Sequence, residues 1–246
     1  MKFFCDEDQI YRGPLILVNQ AHPFRSAKPP HLAAVDRRAP AVLLDGQASL
    51  LLSFCLQMTE GGEEIFPVSG WRSFAEQQHI WDVSAAKNGL PFTRQFVAAP
   101  GCSEHETGFA IDLALRAEEI DFIRPNFPHC GVCNVFRRLA LQYGFIERYP
   151  AGKESLTGIE AEPWHFRYVG IPHAAVMAEH GLCLEEYVDF VRKDPVCYLM
   201  DNGSTAEIFY VPYPGKPVEV SVSDGVCLIS GNNVDGFIIT IWRQSV

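Results

Sequence analysis

Residues 103–113, SEHETGFAIDL, carry the pattern on which the fold prediction rests. The part after Gly108 reads as a strand because the run 109–115 is almost entirely apolar, yet Asp112 lies in its middle. A buried carboxylate is unfavourable unless a cation, a metal ion or hydrogen-bond donors compensate its charge. His105 supplies a second metal-ligating side chain, and the glycine allows the backbone to turn between the two. The stretch therefore indicates either a metal site or an aspartate paired with an arginine.

A second stretch, 160–170, EAEPWHFRYVG, contains the other groups that a catalytic zinc site requires. Such sites use three protein ligands and keep one coordination position open. His165, at the start of the predicted strand 164–169, is the candidate third ligand, and Glu162 is the candidate general base. The same two residues also fit a hydrogen-bonded core histidine and an exposed loop carboxylate.

Composition and charge restrict the class of protein. The chain has 246 residues, of which 48% are hydrophobic, so it suits one large domain or a medium domain with a small one. The formal net charge of −10 argues against a nucleic-acid partner. The N-terminus lacks the apolar region of a signal peptide, and the longest apolar stretch is too short and too polar to span a membrane. A cytoplasmic protein is the expectation.

The predicted helices and strands indicate an α+β fold, with a small mixed or antiparallel sheet flanked by helices, and this fold would carry the candidate zinc site. Segment 21–46 is predicted to be irregular. Ser73 and Glu76 form a capping-box pattern at the start of the predicted helix 73–89. Helices are predicted at 47–59, 73–89, 134–143, 172–180 and 184–193, and strands at 14–18, 65–70, 110–115 and 164–169.

The composition changes after about residue 200, where alternating apolar residues and Asp-Gly turns predict short strands. We therefore predict a catalytic domain over 1–200 and a small β-rich appendage over 201–246. The appendage offers no catalytic set. Its expected role is packing, with a homodimer contact or a partner surface as alternatives.

Three motifs follow one another along the chain: SGWRSFAEQ at 69–77, SEHETGFAID at 103–112 and EPWHFRYVG at 162–170. Together they resemble the VanX/VanY family of zinc D-alanyl-D-alanine peptidases. The resemblance covers about residues 10–195, so it does not extend to the β-rich tail. One departure is Trp71, where the family usually has tyrosine.

The resemblance implies a Zn²⁺ ion bound by His105, Asp112 and His165. It also implies that Glu162 is the catalytic base. Arg72 is implied to polarise the scissile carbonyl and to stabilise the oxyanion that forms from it. The resemblance thus implies a metallopeptidase.

The resemblance also implies that Ser103, Gln77 and Trp164 line the substrate pocket. With the expected cytoplasmic location, the chain is most similar to the bifunctional VanXY type. That type implies the D-Ala-D-Ala dipeptide and peptidoglycan precursors ending in D-Ala-D-Ala as substrates, and a role in vancomycin resistance.

Several alternatives remain open at this point. Within the same fold, the chain fits a strict D-Ala-D-Ala dipeptidase or an L-Ala-D-Glu endopeptidase of the cell wall. In another class, Cys130 and Cys133 fit a thiol-redox or structural-zinc protein, although a single Cys-x-x-Cys is weak evidence. A zinc-fold binding protein would need neither Glu162 nor Arg72, and Arg72 alone also fits a surface ion pair with Glu76.

Overall fold

The computed structural model describes residues 2–25, 31–222 and 225–244. Within these ranges the chain alternates between helices and short strands. The strands are β1 (Lys2–Cys5), β2 (Leu32–Asp36), β3 (Ala39–Asp45), β4 (Ile65–Ser69), β5 (Ala110–Leu115), β6 (Phe145–Tyr149), β7 (Glu162–Tyr168), β8 (Val196–Leu199), β9 (Thr205–Pro212), β10 (Val218–Ser221), β11 (Val226–Gly231) and β12 (Gly236–Arg243). The α-helices are α1 (Gly46–Met58), α2 (Phe74–Asn88), α3 (Leu90–Phe96), α4 (Gly131–Gln142), α5 (Glu154–Thr157), α6 (His173–His180) and α7 (Leu184–Lys193).

The chain divides into two compact units, which we call the central unit (Val18–Ala178) and the terminal unit (Met1–Leu17 with Glu179–Val246). This division differs from a boundary at residue 200. β1, at the N-terminus, pairs antiparallel with β10, so the first residues of the chain belong with the last ones. Residues before 200 also join the terminal unit, because β8 pairs antiparallel with β9.

The central unit contains an antiparallel sheet with the strand order β4-β5-β7-β6, and the hairpin β2–β3. Helices complete this α+β unit, so the predicted fold class is confirmed. Alternate residues of β5, Ile111 and Leu113, belong to the hydrophobic core together with Leu52 of α1 and Phe136 of α4. Because side chains alternate along a strand, Asp112 points to the opposite face of the sheet.

Helix α2 begins as its sequence predicts. The Ser73 hydroxyl accepts a hydrogen bond from the Glu76 backbone at 3.2 Å, and the Glu76 carboxylate accepts one from the Ser73 backbone at 2.7 Å. The predicted capping box is therefore present, and it fixes where the chain turns from β4 into α2.

Two predictions of local structure are wrong. Residues 14–18 are buried but form no strand, because the Leu15 amide donates to the Ser230 hydroxyl and the Leu17 amide to the Asn232 carbonyl, instead of joining a sheet ladder. Segment 21–46 is predicted to be irregular, but its described part contains the whole of β2 and β3. Their pairing buries Leu44, which the weak local pattern did not indicate.

The terminal unit contains an antiparallel sheet with the order β11-β12-β9-β8, the pair β1–β10 and helix α7. Its core includes Ile10, Phe237 and Ile239. The β-rich pattern of the sequence beyond residue 200 thus corresponds to β9 through β12. In the described part of the chain, no helix is long and apolar enough to cross a membrane.

Candidate active site

The register of β5 against β7 places Asp112 directly opposite His165. Paired residues of antiparallel strands project from the same face of the sheet. Accordingly, Asp112 Oδ1 lies 3.0 Å from His165 Nδ1. Both side chains are buried. The pairing of two strands that are distant in sequence therefore places two of the three predicted ligands side by side on one face of the sheet.

His105 lies on a single 3₁₀ turn, Glu104–Thr107, which ends at Gly108 in the left-handed conformation, with φ of 79°. His105 Nε2 lies 3.2 Å from Asp112 Oδ2. Its Nδ1 lies 2.7 Å from the Gly70 carbonyl oxygen. Because a carbonyl only accepts hydrogen bonds, Nδ1 carries the proton and Nε2 presents its lone pair toward Asp112.

The three predicted ligands therefore converge. Ligand atoms of His105, Asp112 and His165 all lie within 4.8 Å of one another, and all three residues are buried. Two imidazole nitrogens and one carboxylate oxygen are the donor set of a catalytic zinc site with an open position. Burial, and then the charge of Arg72, lower the pKa of His105 to about 4. Although burial opposes the shift, the hydrogen bond to Asp112 raises the pKa of His165 to about 9. Without a metal, His105 is therefore neutral at physiological pH, whereas His165 must release a proton before it can bind a metal.

Glu162 is the first residue of β7, three residues before His165. Its side chain is buried. Its Oε2 lies 3.7 Å from His165 Nδ1. In the metal-free protein, burial raises the pKa of Glu162 to about 8, although the neighbouring histidine opposes the shift. This places a carboxyl group that can accept and release a proton near neutral pH beside the ligand cluster.

Arg72 follows β4 and reaches the same cluster. Its Nη2 donates to Asp112 Oδ2 at 2.8 Å, its Nε to the Ser69 hydroxyl at 2.8 Å, and its Nη1 to Gln77 Oε1 at 3.3 Å. The guanidinium is thus oriented in the cleft by three partners, and not on the surface as the ion-pair alternative with Glu76 would require.

The predicted substrate-contacting residues line one cleft with the ligands, Glu162 and Arg72. These are Ser103, Gln77 and Trp164. Gln77 is additionally held by a hydrogen bond of 2.8 Å from its Nε2 to the Ala98 carbonyl. The cleft also contains Phe122 and Tyr149, which the sequence did not single out because nothing in their local pattern distinguishes them from the other aromatic residues of the chain.

Three buried charged residues next to the candidate ligands were not identified from the sequence. Glu104 is 1% exposed, and Arg148 and Arg167 are each 0% exposed. Glu104 Oε1 lies 2.8 Å from Arg148 Nε and 3.0 Å from Arg167 Nη1. The arginines could have been identified in the same way as Asp112, because a charged residue within a largely apolar stretch indicates a buried charge.

The thiol alternative receives no structural support. Cys130 is exposed, whereas Cys133 is buried on α4. Burial, the largest cause, raises the pKa of Cys133 to about 11, which disfavours the thiolate that metal binding or redox chemistry needs. Among the described residues, the one group of metal-ligating side chains found is the His-Asp-His cluster.

Comparison with known proteins gives consistent results. The family model described as VanY, D-alanyl-D-alanine carboxypeptidase, matches residues 43–171. The bifunctional D-Ala-D-Ala dipeptidase and D-Ala-D-Ala carboxypeptidase VanXYC of Enterococcus gallinarum is 41% identical over 181 residues, covering 73% of this chain and 95% of the relative.

Two solved structures extend the similarity to the fold. The vancomycin resistance D,D-dipeptidase VanXYg, in complex with a D-Ala-D-Ala phosphinate analogue, is 43% identical with a TM-score of 0.96, and covers 99% of both chains. A variant of the vancomycin resistance D,D-pentapeptidase VanY from a VanB-type cassette, in complex with Zn(II), is 30% identical with a TM-score of 0.58. That match covers 71% of this chain and 98% of the other. This chain therefore belongs to the VanY family of D-alanyl-D-alanine carboxypeptidases.

Proposed function

We propose that this protein is a zinc-dependent D,D-peptidase that removes the terminal D-alanine from peptidoglycan precursors ending in D-Ala-D-Ala and hydrolyses the D-Ala-D-Ala dipeptide. The observation that carries the proposal is the cross-strand pair Asp112 and His165, joined by His105, with Glu162 and Arg72 in the same cleft. A relative with both activities supports the substrate class. A vancomycin resistance D,D-dipeptidase of the same fold links that class to vancomycin resistance.

His105 would hold the zinc ion through Nε2, His165 through Nδ1 and Asp112 through its carboxylate, since these atoms face one another. A zinc ion bound there supplies a Lewis acid and lowers the pKa of water. The rest of the chemistry falls to side chains of the cleft.

Glu162 is the proposed general base and acid. It takes a proton from the attacking water and delivers that proton to the amine of the departing D-alanine. The carboxyl group is buried beside the ligand cluster, with Oε2 3.7 Å from His165 Nδ1, so its position suits both transfers.

Arg72 is proposed to stabilise the oxyanion that develops on the scissile carbonyl. A planar guanidinium that is already oriented by Ser69 and Gln77 needs little reorganisation when the negative charge appears. Ser103, Gln77 and Trp164 are proposed to position the substrate along the cleft wall.

The test is release of free D-alanine from a muramyl-pentapeptide precursor and, separately, from D-Ala-D-Ala, by the zinc-loaded protein. We expect turnover of both substrates and its loss on addition of a chelator. Turnover of the dipeptide alone would identify a strict dipeptidase. Cleavage of an L-Ala-D-Glu bond, with neither D,D-substrate turned over, would overturn the proposal.

Matched variants test the role of Glu162. Glu162→Gln should abolish D-alanine release while zinc still binds, because the amide keeps the shape of the side chain but cannot accept the proton. Glu160→Gln makes the same change two residues earlier, at a side chain that is not among those lining the cleft, and should leave turnover unchanged. Equal activities of the two variants would contradict the proposed role.

The cytoplasmic location and the homodimer stay predictions.

A further inference from the structure

Glu104 is a carboxylate enclosed by the protein directly before the ligand His105. Its Oε1 forms ion pairs with the fully buried Arg148 and Arg167, at 2.8 Å and 3.0 Å. A buried charge cluster of this kind is not favoured for stability alone, since removing three charges from water costs more than most pairings return. The position of Glu104 next to a proposed metal ligand points to a role in the function of the site.

The other carboxylate oxygen of Glu104 points at the ligand histidine of β7. Glu104 Oε2 lies 3.5 Å from His165 Nε2. Both atoms are buried, and within the described ranges neither has a hydrogen bond to any other group. The distance is long for a hydrogen bond, but pairing these two atoms is the arrangement that satisfies both.

The two nitrogens of His165 therefore face different groups. Nδ1 faces Asp112 and Glu162, at 3.0 Å and 3.7 Å, on the side where the ligands converge. Nε2 faces Glu104. His105 shows the same division, with Nε2 toward Asp112 and Nδ1 on the Gly70 carbonyl.

We propose that Glu104 is a positioning residue that accepts the Nε2 proton of His165 and so reserves the Nδ1 lone pair for the metal. This inference rests on the proposed metal site but not on the identity of the substrate. Arg148 and Arg167 fix the carboxylate in place, so the imidazole ring is held against a rigid acceptor. Ligand histidines commonly depend on such a partner, whose loss weakens metal binding about 10–100-fold.

The first test is the zinc affinity of Glu104→Gln, measured by competition with a chelating dye. The amide oxygen would face the two arginines, which only donate hydrogen bonds, and the amide NH₂ group would then face His165 Nε2. A donor at that position favours the wrong tautomer. We expect zinc affinity to fall about tenfold or more.

Glu106→Gln is the matched control. Glu106 is a second buried glutamate on the same 3₁₀ turn, and its Oε1 accepts hydrogen bonds from the Gly101 and Ser103 amides, which a glutamine oxygen can also do. We expect its zinc affinity to equal that of the unmodified protein. Equal affinities of a folded Glu104→Gln variant and the unmodified protein would overturn the proposal.

A second measurement requires no substitution and decides the matter if Glu104→Gln fails to fold. In the cadmium-loaded protein with isotope-labelled histidines, scalar coupling between metal and nitrogen identifies the ligating atoms. We expect coupling to His165 Nδ1 and a slowly exchanging proton on Nε2. Coupling to Nε2 would overturn the inference. Metal binding without D-alanine release would instead count against the proposed function alone.

Discussion

Asp112 illustrates how a charge is retained inside a sheet. Its Oδ2 accepts from Arg72 at 2.8 Å and lies 3.2 Å from His105, while its Oδ1 faces His165. Although burial alone would raise it, the hydrogen-bonding groups around the carboxylate, His165 among them, hold the pKa of Asp112 well below its ordinary value. Asp112 is thus ionised without a metal. The arginine pair suggested by the sequence is present, and it involves the same side chain that could bind a metal.

A prediction for Arg72 follows from its three hydrogen bonds. Arg72→Lys keeps the positive charge, but an ammonium group cannot reproduce the planar fork that contacts Ser69, Gln77 and Asp112 together. We expect kcat for D-alanine release to fall by about a hundredfold, by analogy with the loss of one oxyanion donor, with zinc affinity retained. Steady-state kinetics and dye competition measure both quantities.

The control for this prediction is Arg138→Lys, at an exposed position on α4. Its kcat should equal that of the unmodified protein. An Arg72→Lys enzyme with normal kcat would show that the guanidinium geometry is not used in the reaction.

Single residues differ in how readily the sequence reveals their role. His105, Asp112 and His165 could be predicted because metal chemistry restricts the side chains to a few types, and the motifs preserve their spacing. Glu104 could not, because a glutamate between a serine and a histidine reads as a surface residue. Its proposed role depends on Arg148 and Arg167, which strands β6 and β7 bring to it from elsewhere in the chain.

At the scale of elements, the site depends on the junction between the 3₁₀ turn and β5. Gly108 adopts a φ of 79°, and its carbonyl accepts a hydrogen bond of 2.8 Å from the Asp45 amide. This junction sets the position of His105 relative to Asp112. A change in its backbone should therefore affect metal binding as well as stability.

We predict that Gly108→Ala lowers the free energy of unfolding by about 1–2 kcal/mol, because a Cβ is strained in the left-handed region, and that it weakens zinc binding severalfold. Gly152→Ala is the control, since Gly152 has a similar φ of 87° and no atom near its hypothetical Cβ. It should show the stability loss with normal zinc affinity. Urea denaturation and dye competition measure the two effects, and equal zinc affinities in both variants would contradict the prediction.

Elements with strong local signals were predicted well. Helix α2 has its capping box and its terminal Asn-Gly in the sequence, and the strand around Asp112 stands out as an apolar run. The irregular conformation of residues 14–18 was not predicted, because their hydrogen-bond partners, Ser230 and Asn232, are distant in sequence. The hairpin β2–β3 was not predicted because its local sequence pattern is weak. The register that sets Asp112 opposite His165 is also a long-range property, which the sequence shows only through the family motifs.

At the scale of the whole molecule, the candidate metal site and the β-rich tail belong to different compact units. All three ligands, Glu162 and Arg72 lie in the central unit, whereas β1 and β8–β12 lie in the terminal unit. The sequence indicated the change in character near residue 200. It could not indicate that the first residues join the terminal unit, because that depends on the pairing of β1 with β10.

This division leads to the last prediction. A ligand that binds only the folded state stabilises it by about 2.7 kcal/mol at a concentration of 100 times its Kd. We expect zinc at that level to slow amide hydrogen exchange in the globally protected core of β5 and β7 by about a hundredfold. If the two units unfold separately, exchange in β12 of the terminal unit should stay unchanged. Hydrogen exchange followed by mass spectrometry, with and without a chelator, measures both regions. Equal slowing in β12 would show that the chain unfolds as one cooperative unit, and no slowing in β5 would place the metal elsewhere.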